Sequence, residues 1–173
     1  MMEEFVIWVD GDDQAIGTGE KLATHVAGQL HRAFSVVVFN SQGEMLLQQR
    51  ALGKYHSGGL WSNTCCGHPR PGEETLAAGH RRLMEEFGFG CALEEAFTFV
   101  YTAPLEQGLT ENEYDHVLCA TCDDVVPHPD PDEIAAWRWM SLADLLADME
   151  RVPEHYTYWF KILMAYPYWQ ARG

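Results

Sequence analysis

With 173 residues, 47% of them apolar, the chain can form one compact domain with a real core, and no stretch approaches the length of a membrane span. A formal net charge of −15 argues against nucleic acid as a partner, because a phosphate backbone is bound by clustered Lys and Arg. Five cysteines, an odd number, do not indicate a disulfide framework, and the N-terminal residues lack the order of a signal peptide, so we expect a cytoplasmic protein.

Strand patterns dominate the first part of the chain. The apolar runs at 35–39 and 45–49 predict two strands joined by a Ser-Gln-Gly turn, as in a hairpin. A glycine-rich loop is expected over 58–67. The prediction leaves the segment before residue 35 without an assigned element.

The next segment has helical spacing. Leu76, Leu83 and Phe87 fall near one face, with Ala77 and Met84 beside them. A Pro-Gly turn precedes the helix, and Gly88 is expected to end it. The first helical turn is predicted to hold Glu73 and Glu74, where negative charge suits the helix dipole.

Strands and short helices alternate in the second part. The runs 97–101, 114–122 and 136–140 predict strands, and Ser141 is the expected cap of a helix over 142–149. A last helix is predicted from Pro153 through Ala165. Mixed strands with a few helices indicate an α+β or α/β sandwich.

One motif spans the predicted helix at 67–89. It fits the spacing Gly, five residues, Glu, seven residues, Arg-Glu-apolar-any-Glu-Glu, any, Gly, apolar. Its eight matches are Gly67, Glu73, Arg81, Leu83, Glu85, Glu86, Gly88 and Phe89. The segment therefore resembles the Nudix box, a loop–helix–loop that binds a metal–diphosphate unit. Arg82 stands where the pattern has a glutamate, so we expect a metal and a diphosphate to bind without efficient hydrolysis.

Further motifs narrow the resemblance. The chain contains Asn-Thr-Cys-Cys-Gly-His-Pro at 63–69 and Glu-Asn-Glu at 111–113, with His25 and His31 upstream. Over roughly residues 17–165 it closely resembles the type I isopentenyl-diphosphate isomerases, whose box also carries a basic residue at the position of Arg82. The resemblance implies a Nudix fold, a mixed sheet flanked by helices. We expect a single domain over 1–173, its core at about 30–165 and its N-terminal segment contributing metal ligands.

The resemblance implies a divalent-metal site of three imidazoles and two carboxylates. Glu111 and Glu113 are two apart, so in an extended strand they project to the same side. His25 and His31 are six apart, which is poor helical spacing, so the chain is expected to turn between them. The implied ligands are His25, His31, His68, Glu111 and Glu113, and the ion is left open among Mn²⁺, Zn²⁺ and Mg²⁺.

A second ion and a basic cluster are implied for the substrate. The resemblance places Mg²⁺ on the diphosphate, with Glu86 and Cys66 among its ligands. Arginine can clamp phosphate oxygens in a fork, whereas lysine acts as a point charge. The basic residues implied to grip the diphosphate are Lys21, Arg50, Lys54 and Arg82. The remaining histidines, His56 included, are interpreted as structural.

The resemblance also assigns the chemistry. Cys66 and Glu113 are implied to transfer protons on opposite faces of the substrate, and Tyr101 to help the carboxylate handle its proton. Trp159 is implied to place its ring face near the carbocation. Cys65 is expected to point away from the site, because successive side chains in an extended segment alternate.

Two alternatives stay open at this point. A Nudix hydrolase of a nucleoside diphosphate derivative would want a carboxylate in place of Arg82. A non-enzymatic metal-binding domain would not need candidates for acid, base and ligands together. The expected partner is a small allylic or homoallylic diphosphate, and the sequence does not indicate an oligomeric state.

Overall fold

A computed structural model describes residues 2–172, and in this part of the chain nine strands form one mixed sheet flanked by four α-helices. The strands are β1 (Phe5–Val9), β2 (Ala15–Glu20), β3 (His31–Phe39), β4 (Glu44–Arg50), β5 (Trp61–Ser62), β6 (Cys65–Gly67), β7 (Glu94–Pro104), β8 (Thr110–Thr121) and β9 (Ile134–Ser141). The helices are α1 (Lys21–Ala27), α2 (Thr75–Phe87), α3 (Leu142–Arg151) and α4 (Tyr158–Met164). The predicted α+β fold is confirmed. No helix among the described residues is long and apolar enough to cross a membrane.

Strand β3 is the centre of the sheet. One edge pairs in parallel with β8 from His31, opposite Glu113, to Phe39. Its other edge is shared, because β6 pairs beside residues 34–36 and β4 pairs only at the end of the strand. Strand β7 runs antiparallel to β8 and sets Tyr101 opposite Glu113. Four adjacent strands, in the order β7, β8, β3 and β6, therefore carry candidate site residues.

The sheet buries both faces. Helices α3 and α4 cover one face with a core that includes Val37, Val117 and Phe160. Helix α2 covers the other face, where Leu83 packs among buried residues of β3 and β8. A Cβ atom at Gly79 would lie 2.5 Å from Leu118 Cδ1, so the absence of a side chain there allows α2 to lie close to the sheet.

Most predicted elements are confirmed with longer bounds. The hairpin turn between β3 and β4 exists, although the two strands pair only at Phe39 and Met45 before they separate. The Ser141 side chain accepts a hydrogen bond from the Asp144 amide and caps α3, as expected. Gly88 ends α2 with a left-handed conformation.

The predicted start of the box helix was wrong. Helix α2 begins at Thr75, so Glu73 and Glu74 precede its first turn. Glu73 instead accepts hydrogen bonds from the Arg81 side chain at 2.7 and 2.9 Å. Leu76 and Met84 are also more exposed than expected, because the helix buries the face of Ala78, Leu83 and Phe87.

Three other segments differ from the prediction. Pro153–His155 forms a single 3₁₀ turn, and α4 begins later because the Thr157 side chain caps it. The glycine-rich loop at 58–67 contains the short strands β5 and β6. The N-terminal segment, which had no predicted element, forms β1, β2 and α1.

Candidate active site

Three imidazoles and one carboxylate converge at one end of the sheet. Helix α1 contributes His25, and His31 opens β3 after the chain turns at Gly28. The Nε2 atoms of His25, His31 and His68 lie 3.9, 3.4 and 3.0 Å from the same oxygen of Glu113. One donor atom from each of these four residues lies within 4.8 Å of the others.

The hydrogen bonds of this cluster fit a metal ion. The Nδ1 atoms of His25 and His31 lie 2.7 and 2.8 Å from the backbone carbonyls of Lys21 and Gln29, which can only accept, so each Nδ1 carries the proton. When these two rings are neutral, their Nε2 lone pairs face the Glu113 oxygen, an acceptor against an acceptor. Among residues 2–172, His31 Nε2 is buried without a hydrogen-bond partner. A divalent cation held by these residues would resolve the conflict, since the outer hydrogen bonds already orient the rings.

The fifth predicted ligand lies beside this group. The Tyr101 hydroxyl is 2.8 Å from Glu111 and 2.7 Å from Glu113, so it links the two carboxylates. Burial, and then the charge of Glu113, raise the pKa of Glu111 well above its ordinary value. Burial alone would also raise the pKa of Glu113, but His31 and His68 hold it well below that value. Glu111 stays a predicted ligand.

Cys66 lies two strands from Glu113, on the far side of β3. Its thiol contacts the Asn63 side-chain oxygen at 3.2 Å and the Ser35 hydroxyl at 3.8 Å. Burial and, secondly, the charge of Asp115 raise the pKa of the thiol, which therefore keeps its proton at neutral pH. Cys65 is fully buried in the opposite core, as strand alternation predicts.

The Asn63 amide has a fixed orientation. Its nitrogen donates to the carbonyls of Val36 and Cys65, at 3.0 and 2.9 Å. Because both amide protons are used, the oxygen must face the Cys66 thiol. Ser35 in turn donates to Asp115 at 2.8 Å, so a buried polar network lies behind the thiol.

The Trp159 ring is held by two side chains. The Arg50 guanidinium lies 5.2 Å from the ring centroid, and the His56 ring meets it edge-on at 5.7 Å. Arg50 also donates to the His56 carbonyl at 3.3 Å. Burial, helped by the Arg50 charge, lowers the pKa of His56 to about 3, so its imidazole is neutral.

The other predicted diphosphate-binding residues are paired with carboxylates. Lys21 contacts Glu4 at 2.7 Å, and Lys54 contacts Glu133. Arg82 forms ion pairs with Glu85 at 2.7 Å, Glu86 at 2.5 Å and Glu133 at 3.4 Å.

The Arg82 side chain passes close to Gly67. A Cβ atom at Gly67 would lie 2.8 Å from Phe34 Cζ and 3.2 Å from Arg82 Cγ, so only glycine leaves room there. Glu86 is 4% exposed and also accepts a hydrogen bond from Gln48 at 2.9 Å. Arg82, the residue that differs from the hydrolase pattern, therefore neutralises the charge of the buried Glu86 carboxylate.

Comparisons with known proteins identify the family. A NUDIX domain family model matches residues 29–160. An isopentenyl-diphosphate Delta-isomerase of Pectobacterium atrosepticum is 51% identical over 168 residues, which cover 96% of this chain and 93% of that relative. An isopentenyl-diphosphate Delta-isomerase of Burkholderia multivorans is 52% identical over 163 residues, with coverage of 94% and 92%. The chain belongs to the isopentenyl-diphosphate Delta-isomerase family.

The fold of this isomerase-family member recurs at much lower sequence identity. A crystal structure from Deinococcus radiodurans matches with a TM-score of 0.67 and 21% identity, covering 86% of this chain and 90% of that one. At this level of identity the match supports the fold alone.

Several residues around the isomerase-family site were missed by the sequence analysis. Asp115 continues the alternation of Glu111 and Glu113 along β8, so the period of two could have found it. His56 was interpreted only as structural, yet it packs against Trp159. The other side chains missed are Ser35, Gln48 and Glu133, whose neighbours lie too far along the sequence for a local pattern, and Asn63, which lies in the motif at 63–69 but was given no role.

Proposed function

We propose that this chain interconverts isopentenyl diphosphate and dimethylallyl diphosphate by moving one carbon–carbon double bond. The arrangement that carries the proposal is a thiol and a carboxylate on strands that flank β3. Cys66 is on β6 and Glu113 is on β8, and the His/Glu cluster adjoins Glu113. The Nudix hydrolase alternative has no role for this thiol.

The reaction needs one proton donor and one proton acceptor. A proton is added to one alkene carbon, and another is removed two carbons away, through a tertiary carbocation. Cys66 and Glu113 are the proposed pair, one donating while the other accepts. The Tyr101 hydroxyl oxygen lies 2.7 Å from a Glu113 oxygen and donates its proton to it, so Tyr101 supports the charge changes of that carboxylate.

The carbocation needs a dry, electron-rich surrounding. Trp159 is 4% exposed, and its ring offers a cation–π attraction of roughly 2 kcal/mol in a desolvated site. His56, packed against the same ring, is held neutral by burial and adds no positive charge beside the cation. Burial of this aromatic wall also excludes water that would capture the intermediate.

Two divalent ions fit the chemistry of the residues. The residues proposed to hold the first are His25, His31, His68, Glu111 and Glu113, and the donor set suits Mn²⁺, Zn²⁺ or Mg²⁺. Glu86 and Cys66 are proposed to lie beside Mg²⁺ on the diphosphate. Bound ions supply positive charge that anchors the diphosphate and tunes the acidity of Glu113.

Four basic side chains are proposed to hold the diphosphate itself, namely Lys21, Arg50, Lys54 and Arg82. Buried Arg50 Nε has no hydrogen-bond partner in the described structure, so this donor is available to an anion. Holding the diphosphate fixes the hydrocarbon between the proton-transfer groups.

The hydrolase alternative is less well supported. The hydrolase pattern has a glutamate where this chain has Arg82, so one carboxylate of the box is replaced by a cation that pairs with Glu85 and Glu86. The test is to incubate the protein and Mg²⁺ or Mn²⁺ with isopentenyl diphosphate, and separately with nucleoside diphosphate derivatives. We expect conversion to dimethylallyl diphosphate and no cleavage of the nucleotides. Formation of a nucleoside monophosphate without isomer formation would reject the proposal.

A further inference from the structure

One carboxylate bridges two of the proposed diphosphate-binding cations. Glu133 immediately precedes β9, and one of its oxygens accepts a hydrogen bond from the Lys54 ammonium group. The other oxygen lies 3.4 Å from Arg82 Nη2. Lys54 and Arg82 come from different elements, a loop and a helix, and this single side chain joins them.

The backbone around Glu133 is anchored to both elements. Its carbonyl accepts a hydrogen bond from the Ala51 amide at 2.9 Å, which ties it to the start of the loop that carries Lys54. Its own amide donates to Asp130 at 3.0 Å, and the Asp130 amide donates to the Glu86 carbonyl at 2.8 Å. Glu133 is therefore fixed relative to the end of α2, one turn from Arg82.

We propose that Glu133 is a positioning residue that holds Lys54 and Arg82 side by side, so that both cations face one substrate diphosphate. The inference rests on the proposed function and deepens it. Within the described residues, Glu133 is the only carboxylate in contact with Lys54. Without that contact, the substrate itself has to order the long Lys54 side chain when it binds.

Two opposing effects of the Glu133 carboxylate determine whether its removal weakens or strengthens diphosphate binding. As an anion it repels phosphate, and as a bridge it pre-organises the two cations. The repulsion is reduced because the charge lies between two cations, and Lys54 uses only one of its three donors on Glu133. Losing the bridge adds the cost of ordering one long side chain to binding, which corresponds to roughly threefold to tenfold in affinity.

The test is Glu133→Gln, which keeps the shape and removes the charge. We expect KM for isopentenyl diphosphate and the inhibition constant of inorganic diphosphate to rise together, by roughly threefold to tenfold, with kcat changed less than about twofold. Glu133→Asp should restore part of the affinity. Glu85→Gln is the matched control, because Glu85 contacts Arg82 from the exposed side of α2.

A double-mutant cycle separates positioning from a general structural effect. In a Lys54→Met background, Glu133→Gln should raise KM much less than it does in the wild type, because the contact is already lost. Equal effects in both backgrounds, or an unchanged or lower KM in Glu133→Gln, would overturn the inference. If the wild type does not convert isopentenyl diphosphate, the proposed function fails, and calorimetric binding of inorganic diphosphate still decides the role of Glu133.

Discussion

Replacing Arg82 by Met should destabilise the protein through a single buried carboxylate. Met keeps the part of the side chain that passes Gly67 but removes the charge opposite Glu86, which is 2.5 Å away and 4% exposed. Removing one partner of a buried ion pair typically costs about 3–5 kcal/mol. Gln48 still donates to the other Glu86 oxygen, so we expect a loss near the lower end, about 3 kcal/mol.

Thermal unfolding followed by circular dichroism measures this loss. For a chain of this size, 1 kcal/mol shifts Tm by about 2–4 °C, so Arg82→Met should lower Tm by about 6–12 °C. Arg151→Met is the control, because its pair with Asp148 is largely exposed and contributes at most about 1 kcal/mol.

The pH dependence of the stability loss shows whether the Glu86 carboxylate causes it. Burial already raises the pKa of Glu86, and Arg82 opposes that rise. Without Arg82 the folded state binds a proton on Glu86 more readily than the unfolded state does. The stability of the variant therefore rises relative to that of the wild type as the pH falls. The Tm difference from the wild type should therefore shrink between pH 8 and pH 5. A Tm within about 2 °C of the wild type at pH 8, or a pH-independent difference, would refute the reasoning.

Three further predictions concern the thiol, the metal ions and acid stability. Cys66→Ser should fold and bind substrate but lose about 10²–10⁴-fold in kcat in a steady-state assay, whereas Cys65→Ser should keep its kcat. The reverse result would show that Cys65 is the reacting thiol. Chelation should abolish turnover and added divalent metal should restore it, so full activity of a protein shown metal-free by elemental analysis would contradict the metal assignment. Burial lowers the pKa of His56 to about 3 in the folded state, whereas the unfolded state binds this proton near the ordinary pKa of about 6.5. Stability should therefore fall as the pH drops below about 6.5. His56→Phe should flatten that decline in pH-dependent melts, and an unchanged slope would contradict it.

Local patterns predicted the elements that carry the site better than they predicted the contacts between them. The spacing of Leu83 and Phe87 reflects burial of one face of α2, which is visible in a short window, whereas β8 is buried on both faces at 115–120. The start of α2 was misplaced because Glu73 pairs with Arg81 instead of entering the helix. A carboxylate suits a helix N-terminus, but the sequence alone does not reveal a competing side-chain partner.

The candidate site was predictable only as far as its motifs. The ligand set came from the resemblance, and the structure brings His25, His31, His68 and Glu113 together. The contact of Cys66 with Ser35 could not be predicted, because it arises only through the pairing of β3 with β6. His56 and Trp159 are likewise brought together by the tertiary fold, and no sequence period links such positions.

The most direct test of the central claim is an NMR assay of the purified protein with isopentenyl diphosphate, divalent metal and D₂O. If a thiol and a carboxylate add one proton and remove another, the product must be dimethylallyl diphosphate with deuterium incorporated from solvent. Cys66→Ser should abolish this incorporation, and Cys65→Ser should preserve it. Unchanged isopentenyl diphosphate after incubation with folded, metal-loaded protein, or an isomer formed without solvent deuterium, would contradict the account.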